Sequence, residues 1–163
     1  MKKIVLAIAI FASAIMVQAK DYSLSNSVTI STIKTTIAVL KNEASSITAG
    51  FIKSVHLSTD LACTFYVYAN ANDALTGSST LGISSKSLGE SFTGKLQGWK
   101  TTVGNSTLNG TLLYQISLPA NGSADVPADI IKNAIVGSGD KLVVEALGAG
   151  AGTDPSVTIA YRE

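Results

Sequence analysis

Residues 141–163 read KLVVEALGAGAGTDPSVTIAYRE. Two apolar runs flank a loop of glycine and alanine. Leu142, Val144 and Ala146 alternate with Val143 and Glu145 in the first run, and Val157, Ile159 and Tyr161 share one side of the second. A period of two is the signature of a strand with one face on a core. The expected structure is a hairpin: two strands and a loop over 148–155. Glycine gives that loop its turn freedom, and Pro155 ends it. A phosphate cradle does not fit. The dinucleotide fingerprint needs a third glycine where Thr153 stands, and no lysine follows as in a P-loop. A β-type run comes next, not the helix N-terminus on which phosphate affinity rests.

The same pattern runs back through the chain. In 27–40, Val28 and Ile30 alternate with polar residues, and a second phase runs through Ile33, Thr35, Ile37 and Val39. In 51–58, Phe51, Val55 and Leu57 share one face with Lys53 among them; Ile52, Ser54, His56 and Ser58 take the other. In 63–69, Cys63, Phe65, Val67 and Ala69 alternate with Thr64, Tyr66 and Tyr68, and residues 111–118, TLLYQISL, read the same way. Asn105-Ser106, Asn109-Gly110, Asn121-Gly122 and Gly137–Asp140 separate the runs. Asn-Gly suits tight hairpins because both residues accept positive φ. About eight short strands with regular turns predict an all-β, antiparallel β-sandwich. No βα alternation argues for a parallel sheet. One short helix is expected near 127–136: Ile130, Ile131, Ala134 and Ile135 have helical spacing, Pro127 and Asp129 suit its start, and Gly137 its cap. Residues 70–80 and 84–95 are expected as loops.

Residues 1–19 have the three parts of a secretory signal peptide: Lys2 and Lys3, an apolar stretch from Ile4 to Val17, and Val17-Gln18-Ala19 as the cleavage site. The stretch falls short of the roughly 20 apolar residues of a membrane span. Cleavage leaves a single domain over 20–163, expected outside the cytoplasm: secreted, periplasmic or on the cell surface. Loss of the two leader lysines takes the formal net charge from +1 to −1. The remaining charges are scattered. Nucleic-acid affinity needs clustered Lys and Arg, so nucleic acid is excluded as a partner. The same scatter argues against attachment to a membrane surface once the leader is gone.

Catalytic and metal-binding groups are sparse. Cys63 is the only cysteine, so no intrachain disulfide forms; it reads as a small buried hydrophobe. His56 is the only histidine. Ser54, Ser58 and Asp60 lie near it, but residues two apart on a strand are about 6–7 Å apart, beyond nucleophile–base contact. It reads as a solvated histidine on a polar face. One His and one Cys cannot build a structural zinc site. Asn70, Asn72 and Asp73, and Asp125, Asp129 and Asp140, supply calcium-type oxygens but read as turn formers. Glu43, Glu90 and Glu145 are far apart, and Glu145 reads as an outward residue on an edge strand. The Asn-x-Ser/Thr triplets at Asn105, Asn109 and Asn121 read as turns. No cofactor is implied, and an enzyme is not expected.

The aromatics carry the ligand argument. Tyr66 and Tyr68 project side by side from one strand face, and Trp99 follows Gly98 near a strand start. Flat aromatic platforms stack on sugar rings; ordinary cross-strand packing is the competing account.

Residues 113–163, from LYQISLPANGSADVPADIIKNAIVGSGDKL to the closing TIAYRE, resemble the last third of jelly-roll domains in phage virion and surface proteins. There a strand, a short helical turn, a step like Gly139-Asp140-Lys141-Leu142 and a terminal hairpin recur. The resemblance implies a scaffold for self-association and for binding receptors or glycans. A weaker resemblance is to secreted fimbrial subunits, with a signal peptide, an Ala/Thr/Gly-rich sandwich and a late tyrosine, here Tyr161. Neither assigns a functional residue.

The expected function is a non-enzymatic structural or attachment module whose partners are its own copies or a surface glycan or protein. Tyr22–Ile30 is the candidate edge strand for pairing between subunits. The alternative is a carbohydrate-binding module using Tyr66, Tyr68 and Trp99. N-terminal sequencing of exported protein should read Lys-Asp-Tyr; full-length protein held in the membrane would contradict the leader.

Overall fold

The computed structural model describes residues 19–69, 78–86, 93–101, 110–132 and 134–163. The leader 1–18, Asn70–Gly77 with its candidate calcium oxygens, Glu90, and the triplets at Asn105 and Asn109 lie outside the described residues. Among the described residues twelve strands form: β1 (Asp21–Ser27), β2 (Thr35–Lys41), β3 (Gly50–Thr59), β4 (Cys63–Ala69), β5 (Ser78–Leu81), β6 (Ile83–Ser85), β7 (Gln97–Thr101), β8 (Thr111–Leu118), β9 (Ser123–Asp125), β10 (Ile135–Val136), β11 (Lys141–Gly148) and β12 (Pro155–Arg162). A helix, α1, spans Ala128–Ile131.

Two antiparallel sheets face each other. The first runs β10-β3-β12-β1-β6, with β9 also on β3; the second runs β5-β7-β2-β11-β4-β8. Among the described strands, no two that are consecutive in the chain pair with each other. Eight positions carry the fold: β1, β12, β3 and the split strand β9/β10 on one side, and β2, β11, β4 and β8 on the other. This interleaved order is that of a jelly roll. The count exceeds eight because β5, β6 and β7 come from an insertion between β4 and β8 that extends both sheets at the same side. The expected loops at 70–80 and 84–95 therefore contain strand residues.

The core lies between the sheets. Leu24, Ile37, Leu40, Val55, Leu57, Phe65, Val67, Leu142, Val144, Val157, Ile159 and Tyr161 are buried in it. Burying side chains of this size contributes about 1.5–3 kcal/mol each before entropy is counted. The alternations expected for β11, β12 and β4 hold here. Cys63 is buried and free, and burial pushes its thiol up to about 11.

Elsewhere the period-two reading needs correction, because three bulges reset it. Ile37 on β2, Lys53 on β3 and Leu113 on β8 each have no partner at a register shift. A bulge inserts one residue and reverses the alternation beyond it. On β3, Ile52 thus takes the core side, and Phe51 turns out to solvent, 52% exposed. On β2, Ile37 and Ala38 both reach the core, while Val39 turns to the outer face. Ile33 precedes the strand and is 58% exposed.

The turns need correction too. Residues 148–155 are a corner, not a hairpin: β11 belongs to the second sheet and β12 to the first. Asn121-Gly122 and Gly137–Asp140 also carry the chain from one sheet to the other, closed by Gly122 N–H to Pro119 O at 3.0 Å and Asp140 N–H to Gly137 O at 3.0 Å. Asn121 takes φ 56°, as an Asn-Gly turn demands. The helix is shorter than expected. After Ile131 the chain turns, and Ile135 and Val136 pair with Phe51 and Gly50. The first strand is no free edge: Tyr22–Leu24 pair with β6 on one side, and all of β1 pairs with β12 on the other.

The corner sets a test. A methyl on Gly148 would lie 2.6 Å from Thr153 Oγ1 and 3.0 Å from Ser31 O; at Gly150 it would meet nothing within 4 Å. Thr153 is fully buried and donates to Gly150 O at 2.9 Å. Gly148→Ala should cost about 1–3 kcal/mol in urea unfolding, whereas Gly150→Ala should stay within about 0.5 kcal/mol of wild type.

Candidate functional site

The outer face of the second sheet gathers the residues singled out by the sequence. On β4, Tyr66 and Tyr68 point outward with ring centroids 6.4 Å apart and planes at 15°, side by side as expected. Register then fixes what lies beside them. Tyr68 faces Val143 on β11, Val143 faces Val39 on β2, and Val39 faces Trp99 in the middle of β7. Tyr68 and Trp99 thus share one row but stand three strands apart, about 14 Å at normal strand spacing. They do not form one platform. Val39 and Val143 between them are fully buried, with Tyr68 and Trp99 packed against them.

The next row holds a charge. Tyr66 faces Glu145, and Glu145 faces Thr36. Glu145 points outward as expected, yet β11 is a central strand and its side chain is fully buried. This corrects the edge-strand reading. Lys34, from the bend before β2, covers it. Its Nζ lies 3.1 Å from Glu145 Oε2, donates to Tyr68 Oη at 3.2 Å, and sits 4.7 Å and 5.5 Å from the Tyr66 and Tyr68 ring centroids. Thr36 Oγ1 donates to Glu145 Oε1 at 3.5 Å. Both rings thereby hold an ammonium by cation–π attraction. Burial alone would lower the Lys34 pKa; the hydrogen bonds to Tyr68 and Glu145 outweigh it and raise it above its ordinary 10.5.

No sequence pattern marks Lys34. It lies 34 residues from Tyr68, and only the β2-β11-β4 order brings the two together. Trp99 stands apart beside a groove of about 570 Å³ lined also by Thr80, Leu81, Ile83 and Leu96. Among the described residues no acceptor reaches its buried Nε1.

The outer face of the first sheet is polar. His56 Nδ1 lies 2.9 Å from Asp125 Oδ1, its register partner on β9, and both side chains are exposed. Ser58 and Ser156 hydroxyls bond at 2.6 Å, and Ser25 and Thr158 at 3.0 Å. Asp60 instead accepts the N–H groups of Asp154 and Leu61, each at 2.7 Å, which lower its pKa. Asp140 accepts the Gly137 N–H at 3.1 Å, and Asp129 sits in the first turn of α1. At the strand ends, Arg162 and Lys53 hold the Asp21 carboxyl down at about 2. Among the described residues no three His, Cys, Asp or Glu lie together, and no helix is long and apolar enough to cross a membrane. No family model matches the chain, and no curated protein or solved structure is detectably similar to it.

Lys34→Met leaves a buried carboxylate without its cation and should cost about 3 kcal/mol. Adding Glu145→Leu should recover most of it. With a raised folded-state pKa, the Lys34 contribution is complete below pH 10.5 and fades as pH rises past the folded value. Melting curves from pH 8 to 12 should show that alkaline loss in wild type and not in Lys34→Met.

Proposed function

We propose that this chain is a non-enzymatic, exported or surface-located structural module that works by self-assembly or attachment. One observation carries the reading. Charged and hydroxyl groups on both outer faces bond to each other between neighbouring elements: Lys34 with Glu145 and Tyr68, His56 with Asp125, Ser58 with Ser156, Thr64 with Ser117 at 2.8 Å, and Asp21 with Lys53 and Arg162. They tie one strand to the next, which is what a scaffold requires. The leader pattern of residues 1–19 supports export, and the low net charge favours contact between copies.

A second reading is a carbohydrate-binding module, and the groove beside Trp99 favours it. Trp99 is half-buried and lines this groove, and a flat indole ring can stack on a sugar. Tyr66 and Tyr68 serve that role less well, since Lys34 already lies over both rings.

Light scattering and electron microscopy of the exported protein across a range of concentrations test the first reading. The expected result is concentration-dependent oligomers. Monomers at every concentration, together with glycan binding lost in Trp99→Ala, would replace it with the second.

A further inference from the structure

Each sheet of an open sandwich ends in strands with one side unpaired, and such edges template pairing with another chain unless they are short or blunted. Among the described residues, four of the five edges are short: β10 has two residues, β6 and β9 three each, and β5 four. The fifth, β8, has eight, TLLYQISL, with no charge, proline or glycine. The bulge at Leu113 interrupts its first half and leaves Tyr114–Leu118 in regular register with β4. Those five residues form the longest bare edge among the described strands. Leu112, on the outer face at the start of the edge, is 47% exposed.

We propose that the β8 edge is where a second copy of this chain adds, antiparallel and about a two-fold axis, so that the two second sheets become one. The proposal rests on the self-assembly reading and names its surface. An uncharged strand is its own complement: antiparallel pairing about a two-fold axis places each residue against a mirror position and meets no like charge. With the axis at Ile116, the centre of the regular run, Gln115 of one copy faces Ser117 of the other on the outer face. Tyr114 faces Leu118 on the core side. Backbone hydrogen bonds supply the affinity, as in other strand additions. The formal net charge, +1 for the full chain and −1 without the two leader lysines, gives little long-range repulsion.

The test uses charge. Gln115 and Ser117 are exposed on the outer face. The double variant Gln115→Lys, Ser117→Lys places like charges across the junction and should weaken association roughly tenfold or more. Gln115→Glu, Ser117→Glu should do the same, and mixing the two variants should restore association. Restoration also shows that both fold. Should either melt early, mild oxidation of Gln115→Cys mixed with Ser117→Cys should still give a reducible dimer. Wild type that associates while the lysine variant associates equally overturns the β8 edge and leaves self-assembly standing. Wild type that stays monomeric overturns both.

Discussion

The last two strands hold the middle of the molecule. β11 lies between β2 and β4, and β12 between β1 and β3, so residues 141–162 place one strand at the centre of each sheet. The corner at 148–155 joins them. Its tight contacts, Gly148 against Thr153 and Ile30 paired with Thr153, fix how the sheets face each other. Neither sheet is continuous without this segment, and the apolar residues of both strands fill the core between them.

From that arrangement the outer faces follow. Because β11 sits between β2 and β4, Glu145 is flanked by residues from both and loses contact with water. A buried carboxylate needs a cation and hydrogen bonds; Lys34 and Thr36 supply them, and Tyr68 accepts from the Lys34 ammonium. The aromatic pair then belongs to the strand-to-strand bonding that keeps the sheet together.

The sequence made the fold class legible because alternation survives wherever the ladder is regular, as in β4, β11 and β12. It failed at Ile37, Lys53 and Leu113, since a bulge leaves no mark in composition. It also failed at the turns. Asn121-Gly122 and Gly148–Gly152 have hairpin chemistry, but turn residues encode a local change of direction and not the sheet that the next strand joins. The two tyrosines were legible from their spacing; their neighbours Lys34, Val143 and Glu145 depended on non-local order. The same non-local order decides the edges: β1 is paired with β6 and β12, whereas among the described strands β8 pairs with β4 alone.

We propose that the molecule acts through a strand edge rather than through a reactive site. Hydrogen exchange of wild-type protein at low and high concentration measures this at single amides. The account predicts that amides of Tyr114–Leu118 on the outer side of β8 slow with concentration, while those of β5, β6 and β9 do not. Exchange in β8 that is fast and independent of concentration would contradict it.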